Sequence, residues 1–300
     1  MIRIVTDSVA SIPRALAEKL GIEVITLYLN RDGVEYADAE MDVDAFYQDI
    51  YDMVDDIPKS SQPSQGMIED LFESIAAAGD QLLGIFMSSL MSGTFDAALR
   101  AARTVESHHI DFEYRIIDST SNSYDEAWAV AAAVVAREAG CTLDQCADQA
   151  VRTVAATRFL FAPESLTFLR AGGRIGNAAA LLGNLVKLCP VITVADGESF
   201  TFAKVRTHKK ALAAIVDKFK DDIDRYGLKN LVVHYIGSSA EAVKWARDVI
   251  EPLVGCSVTV LPVSPVIGLH VGPAVGIAYE CEHALPGKIS VPPDTLVFSS

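Results

Sequence analysis

Apolar runs of strand length alternate with helical patterns through the first half of the chain, and this alternation restricts the fold more than any other feature. Ile2–Val5, Glu23–Tyr28, Gln81–Met87 and Tyr114–Ile117 read as strands. Pro13–Leu20, Asp44–Tyr51, Met67–Ala78, Thr94–Thr104, Asp125–Ala139 and Leu143–Arg158 carry helical spacing, with Gly21, Gly79 and Gly140 as stops. Strands this apolar, separated by helices, belong to a parallel sheet covered on both faces. After Arg158 the pattern changes. Pro190–Ala195 and Phe200–Arg206 flank Asp196-Gly197, a pair suited to a two-residue turn with positive φ. Helices over Lys210–Tyr226 and Ala240–Ile250 then alternate with strands over Leu231–Tyr235 and Ser257–Val263. A hairpin inside such a pattern implies a mixed sheet. The expected fold is α/β in two domains: residues 1–157 with a mostly parallel sheet, and residues 158–300 with a mixed sheet and helices.

Composition narrows the partners. The 300 residues are 50% hydrophobic, enough for a real core, and carry 25 Lys+Arg against 40 Asp+Glu, a net charge of −15. An acidic chain repels nucleic acid and anionic membrane surfaces, so neither is an expected partner. The longest apolar run, Ala127–Ala136, has ten residues; spanning a bilayer takes about 20. No membrane span is expected, and the start of the chain reads as a strand rather than a secretory signal. Five scattered cysteines without a C-x-x-C pair are expected to be buried, reduced thiols of a cytoplasmic protein. The adjacent His108 and His109 do not share a helix face, and no metal site is expected.

The loops after the strands are rich in hydroxyls. Thr6-Asp7-Ser8 follows the first strand, and Ser60-Ser61-Gln62-Pro63-Ser64 follows Asp56-Ile57-Pro58. Ser88-Ser89-Leu90-Met91-Ser92-Gly93-Thr94 follows the third strand, and Asp118-Ser119-Thr120-Ser121 the fourth. Each alone can be a helix cap. Together, at the carboxyl edge of one sheet and beside helix N-termini, they suit an anion. Common nucleotide and hydrolase devices are missing: there is no G-x-x-x-x-G-K-[ST], no G-x-G-x-x-G and no G-x-S-x-G. Two further features stand out. Gly268-Leu269-His270-Val271-Gly272-Pro273-Ala274-Val275-Gly276 surrounds one histidine with glycines, consistent with either a structural or a ligand-facing imidazole. Lys204, Arg206, Lys209 and Lys210, with His208 among them, concentrate positive charge at one corner, either a solvated turn or a docking point for something phosphorylated or acidic.

Taken in order, these segments resemble the DegV family of bacterial fatty-acid-binding proteins. The resemblance rests on Thr6-Asp7-Ser8, Ser60-Ser61-Gln62-Pro63-Ser64, Ser88 to Phe95, Asp118-Ser119, Gly172-Gly173-Arg174-Ile175, Lys204-Val205-Arg206-Thr207 and Gly268 to Pro273. It implies two α/β domains clasping one long-chain fatty acid, its tail in an apolar tunnel between them. It further implies no cofactor and no catalysis by this chain, which would present the carboxylate to a separate fatty acid kinase for conversion to acyl-phosphate and delivery to phospholipid synthesis. By motif, Ser60 and Ser92 would hold the carboxyl group, with Ser61 and His270 nearby. Arg174 would lie beside the site and Arg206 at the kinase-facing edge. Asp7, Ser8, Gly93, Thr94, Asp118, Ser119 and Gly272 would support the loops.

Some positions depart from the family pattern. Ser60 stands where threonine is usual, which keeps the hydroxyl. Asp125, Ala127 and Ala274 stand where glycines are common, and would alter the tunnel. Two alternatives remain: a carrier or sensor of another amphipathic acid, and a lipid hydrolase using Ser92, His270 and Asp7 or Asp118.

Overall fold

The computed structural model describes residues 1–177 and 188–299. The first sheet takes β1 (Ile2–Asp7), β2 (Ile22–Ile25), β6 (Gln81–Phe86), β7 (Tyr114–Asp118) and β14 (Val297–Ser299), in the order β14-β7-β6-β1-β2. All pair in parallel except β14, which adds antiparallel to β7. Strand alternation sends neighbouring residues to opposite faces. Ile4, Leu83, Ile85 and Ile117 pack against α5 (Ser123–Glu138) and α6 (Leu143–Ala156). Val5, Leu82, Phe86 and Ile116 pack against α3 (Gln65–Ala77) and α4 (Thr94–His108). The continuous apolar strands thus reflect burial on both faces.

The second sheet has the order β10-β9-β8-β13-β11-β12: β8 (Thr157–Pro163), β9 (Cys189–Ala195), β10 (Glu198–Val205), β11 (Asn230–Ile236), β12 (Thr259–Pro262) and β13 (Ala274–Glu280). Only β11 and β12 pair in parallel. The β9–β10 hairpin turns on Asp196 and Gly197, at φ 48° and 81°, as the sequence suggests. Its helices are α7 (Thr167–Ala171), α8 (His208–Tyr226), α9 (Ser239–Trp245), α10 (Glu251–Val254) and α11 (Pro265–Val271). The fold is thus the expected α/β class, with one mostly parallel and one mixed sheet.

Several expectations need correction. Glu23–Tyr28 is not one strand, because the chain leaves the first sheet at Thr26, held there by Ser8 Oγ accepting from Leu27 N and Thr26 Oγ1 accepting from Ala39 N. It continues as β3 (Tyr28–Arg31), which pairs with β4 (Val34–Ala37) and β5 (Lys59–Ser61) in a small antiparallel sheet. The helix read as Leu143–Arg158 stops at Ala156; Thr157 Oγ1 donates back to the Val154 carbonyl and β8 begins. The glycine-rich stretch around His270 is helix α11 followed by the central strand β13. Cys256 is exposed, and Cys141 and Cys189 are only partly buried, although all five thiols are free. A division of the chain near residue 157 stands as a proposal; the pairing of β14 with β7 assigns residues 297–299 to the first sheet.

Polar groups stitch the two sheets together. Tyr47, on α2 (Val43–Asp49), donates to the Val263 and Ser264 carbonyls at 2.9 and 3.0 Å. Asp38 accepts from Ser264 Oγ and from Val266 N, fixing the start of α11. Tyr124 Oη donates to the Pro262 carbonyl at 2.7 Å. Lys288, fully buried, pairs with Asp125 and donates to Ser121 Oγ, while its carbonyl accepts from Asp196 N. Removing one member of such a pair leaves a buried charge unmatched. Lys288→Met is expected to lower the unfolding free energy in urea by about 3–5 kcal/mol, and Lys288→Met with Asp125→Leu to recover most of it.

Candidate functional site

A cavity of about 330 Å³ opens where the carboxyl ends of β1, β6 and β7 meet the face of the second sheet. This is the edge at which parallel α/β sheets collect ligands, and the volume falls in the range of small-molecule sites. Most of the wall is apolar, including Val9, Leu27, Met87, Phe159, Phe161, Val194, Ile236, Val266 and Val275. Ser60, Ser61, Gln62, Ser92, Gly93, Arg174 and His270 contribute a polar patch.

Each polar member has a local cause. Ser60 sits on β5, opposite Leu29 of β3. His270 comes from the last turn of α11, a helix started by Ser264, whose Oγ accepts from Val266 N, with Pro265 in the first turn. Ser60 Oγ and His270 Nε2 are hydrogen-bonded at 2.8 Å across 210 residues of chain. Gly172 makes this possible, since a Cβ there would lie 2.3 Å from His270 Nδ1. Ser92 Oγ bonds Thr94 Oγ1 at 2.9 Å at the start of α4. Gln62 lies against Gly93, and Arg174 donates to the carbonyls of Met91 and Gly172 at 3.3 and 2.8 Å.

The supporting residues are spent on backbone. Asp7 accepts from Val9 N and Met87 N, and Asp118 from Ser89 N and Thr120 N. Ser8 holds the chain at Leu27, Ser119 fixes its own loop, and Gly272 turns the chain between α11 and β13 at φ 74°. Burial raises Asp7 to about 7, above the ordinary carboxyl range. Burial also raises Glu126, which accepts from Thr6 Oγ1, well above the ordinary carboxyl range. His270 moves the other way, to about 4, because burial and then the Arg174 charge disfavour the imidazolium. At neutral pH its ring is therefore uncharged.

The structure gathers Ser60, Ser61, Ser92, Gly93, Arg174 and His270 around one cavity, with Thr94 bonded behind Ser92. Asp7, Ser8, Asp118, Ser119 and Gly272 stand behind that wall. Arg206 is exposed at the end of β10 and does not line the cavity. Among the described residues no hydrolytic triad is assembled: Ser92 bonds Thr94 rather than His270, and His270 Nδ1 has no carboxylate partner. Sequence reasoning missed Gln62, Asn122, Ser123, Ser199 and His234, which also line the cavity. The hydroxyl-rich loop after β7 pointed toward Asn122 and Ser123. His234, alone in an apolar strand, gave no signal.

Fold and site together place a mostly apolar cavity with one polar patch between two α/β sheets. The chain belongs to the DegV family: residues 1–282 match the family described as "Uncharacterised protein, DegV family". A DegV domain-containing protein of Clostridium acetobutylicum is 38% identical over 290 residues, covering 94% of this chain and 98% of that one. The solved DegV-family protein of Thermus thermophilus, described as fatty acid binding, superposes with TM-score 0.80 at 28% identity, over 93% of this chain and 99% of that one. A stearic-acid-binding protein of Eubacterium ventriosum superposes with TM-score 0.83 at 25% identity, over 94% and 99%.

The neutral state of His270 can be tested directly. By NMR of the imidazole, its midpoint is expected near 4, against an ordinary value of about 6.5. The folded value is depressed, so the stability tied to the neutral ring is present above the unfolded midpoint and lost as pH falls from about 6.5 toward about 4. Arg174→Gln is expected to move the midpoint upward.

Proposed function

We propose that this protein binds one long-chain fatty acid, burying the tail in the cavity and holding the carboxylate at Ser60 and Ser92, with Ser61 and His270 beside them. The observation that carries this reading is the Ser60–His270 pair on the wall of a mostly apolar cavity. The solved relatives that bind fatty acids support it. A sixteen-carbon chain has about 15 carbons beyond the carboxyl, and at roughly 0.8 kcal/mol each their burial yields about 12 kcal/mol before ordering costs. The tail supplies the affinity. The head needs only enough donors to avoid being an unpaired buried charge.

We further propose that the carboxylate is presented to a separate kinase that transfers a phosphoryl group to it. Hydroxyl donors satisfy the carboxylate without occupying both oxygens, as a bidentate arginine would, and leave lone pairs for attack. The only arginine lining the cavity among the described residues, Arg174, has its guanidinium turned to backbone carbonyls. Arg206 and its basic neighbours offer a surface for an acidic or phosphorylated partner in an otherwise acidic, cytoplasmic protein.

Native mass spectrometry of the purified protein should show one bound fatty acid per chain; an empty protein that takes up no added stearate would overturn the reading. Ser92→Ala is expected to slow kinase-dependent phosphorylation at least tenfold while changing acyl affinity only about two- to threefold. Arg206→Ala should leave copurifying lipid unchanged and lower kinase-dependent turnover, and lipid loss instead would place it in the binding site.

A further inference from the structure

His234 lies on β11, on the wall of the same cavity. It is 5% exposed and lines the cavity, yet Nε2 has no hydrogen-bond partner among the described residues. The carbonyls of Leu160 and Ile277 lie close enough to the ring to favour a protonated nitrogen, which partly offsets burial. Neither ring nitrogen bonds a side chain among the described residues. Aromatic edges close the flanks: Tyr124 and Phe159 sit with ring centroids 6.2 and 6.0 Å away. The hydroxyls of Tyr124 and Tyr235 are committed elsewhere, to the Pro262 carbonyl and to Asp44.

The placement is specific. His234 pairs in register with Gly276 on β13, which pairs with Phe161 on β8. A Cβ at position 276 would stand 2.6 Å from His234 Nε2, so the glycine opens the space the imidazole occupies. Ala274, where β13 leaves the loop after His270, is two residues earlier, roughly 7 Å back along the strand. The imidazole is therefore a second polar point on the cavity wall, beyond the head-group cluster. Burial holds it neutral, with a midpoint near 4. A neutral imidazole presents one N–H donor and one lone pair, which a hydroxyl matches with its own acceptor and donor and a hydrocarbon does not match at all.

We infer that the cavity selects a fatty acid carrying a hydroxyl partway along its chain, received by His234. The inference rests on the fatty-acid reading above and specifies the class of acid. An unsubstituted chain laid past His234 removes water from the imidazole and gives it no partner, whereas a hydroxylated one restores the bond. Sites built to bond a hydroxyl discriminate strongly against analogues that lack it.

The test is competition against a fluorescent long-chain fatty acid on the delipidated full chain, using stearic acid and stearic acids hydroxylated at successive mid-chain positions. One hydroxyl position is expected to bind about tenfold more tightly than stearate, about 1.4 kcal/mol. In His234→Phe, which keeps the ring's shape, that preference should vanish because stearate gains and the hydroxylated acid loses. The positional series needs no variant, so a folding defect in His234→Phe cannot mask the result. Equal affinity across the series, a preference only for double bonds, or a hydroxyl preference undiminished in folded His234→Phe would each overturn the inference while leaving fatty-acid binding standing. Failure of every acid, stearate included, would overturn both.

Discussion

The constraint on which this structure turns is the cost of removing polar atoms from water in the seam between two sheets. Two α/β lobes closing on each other must pair what they bury. Most of the seam obeys. Asp38, Tyr47, Tyr124, Tyr235 and Lys288 each find a partner across or along it. Asn122 Oδ1, Ser123 Oγ, His234 Nε2 and His270 Nδ1 do not, and all four residues line the same cavity. Thr120 Oγ1, Asp125 Oδ1, Glu126 Oε2 and Thr201 Oγ1, away from the cavity, are also without a partner among the described residues. The partners that are satisfied keep the wall rigid.

That rigidity comes from connections distant in sequence. Ser60 reaches the cavity because a three-stranded sheet branches from the first lobe at Thr26. His270 reaches it because Asp38 grips the first turn of α11 and Val266 and Leu269 pack against Val9, Leu29 and Met87 of the first lobe. The head-group pair thus forms only when both lobes are docked. The cavity and the seam are one feature, and a change that loosens α11 acts on Ser60–His270 without touching either residue.

Much of this was legible in the sequence. Apolar runs separated by helix stops identified the parallel sheet, since residues buried on both faces leave no polar alternation to blur the pattern. Asp196-Gly197 located the hairpin, because few pairs tolerate two positive φ values in succession. The hydroxyl-rich loops pointed to the correct sheet edge. The failures also have physical causes. β13 was hidden because Gly272 and Gly276 read as loop, whereas Gly276 is small to let Leu160 and His234 approach in the middle of a sheet. The end of α6 was misplaced because Thr157 and Arg158 have no local stop signal; Arg158 is drawn into the second lobe by Asp222, an acid 64 residues away. β14 was invisible, since three residues carry no period and gain their hydrogen bonds only from β7.

The same reasoning sorts the three positions where the family resemblance leads one to expect glycine. Asp125 does not reach the cavity; its carboxylate is taken by Lys288 and Ser121, so its bulk and charge are absorbed in the seam. Ala127 packs its methyl into the core cluster of the second lobe. Only Ala274 lines the cavity. It stands in register with Ile236 of β11 and Pro163 of β8, two residues from Gly276. Between the polar patch at His270 and the imidazole of His234, the wall is therefore narrowed by one methyl group and then released at a glycine. A narrowing on a hydrogen-bonded central strand cannot relax outward as a loop would. Of the three departures, only this one shapes the cavity wall.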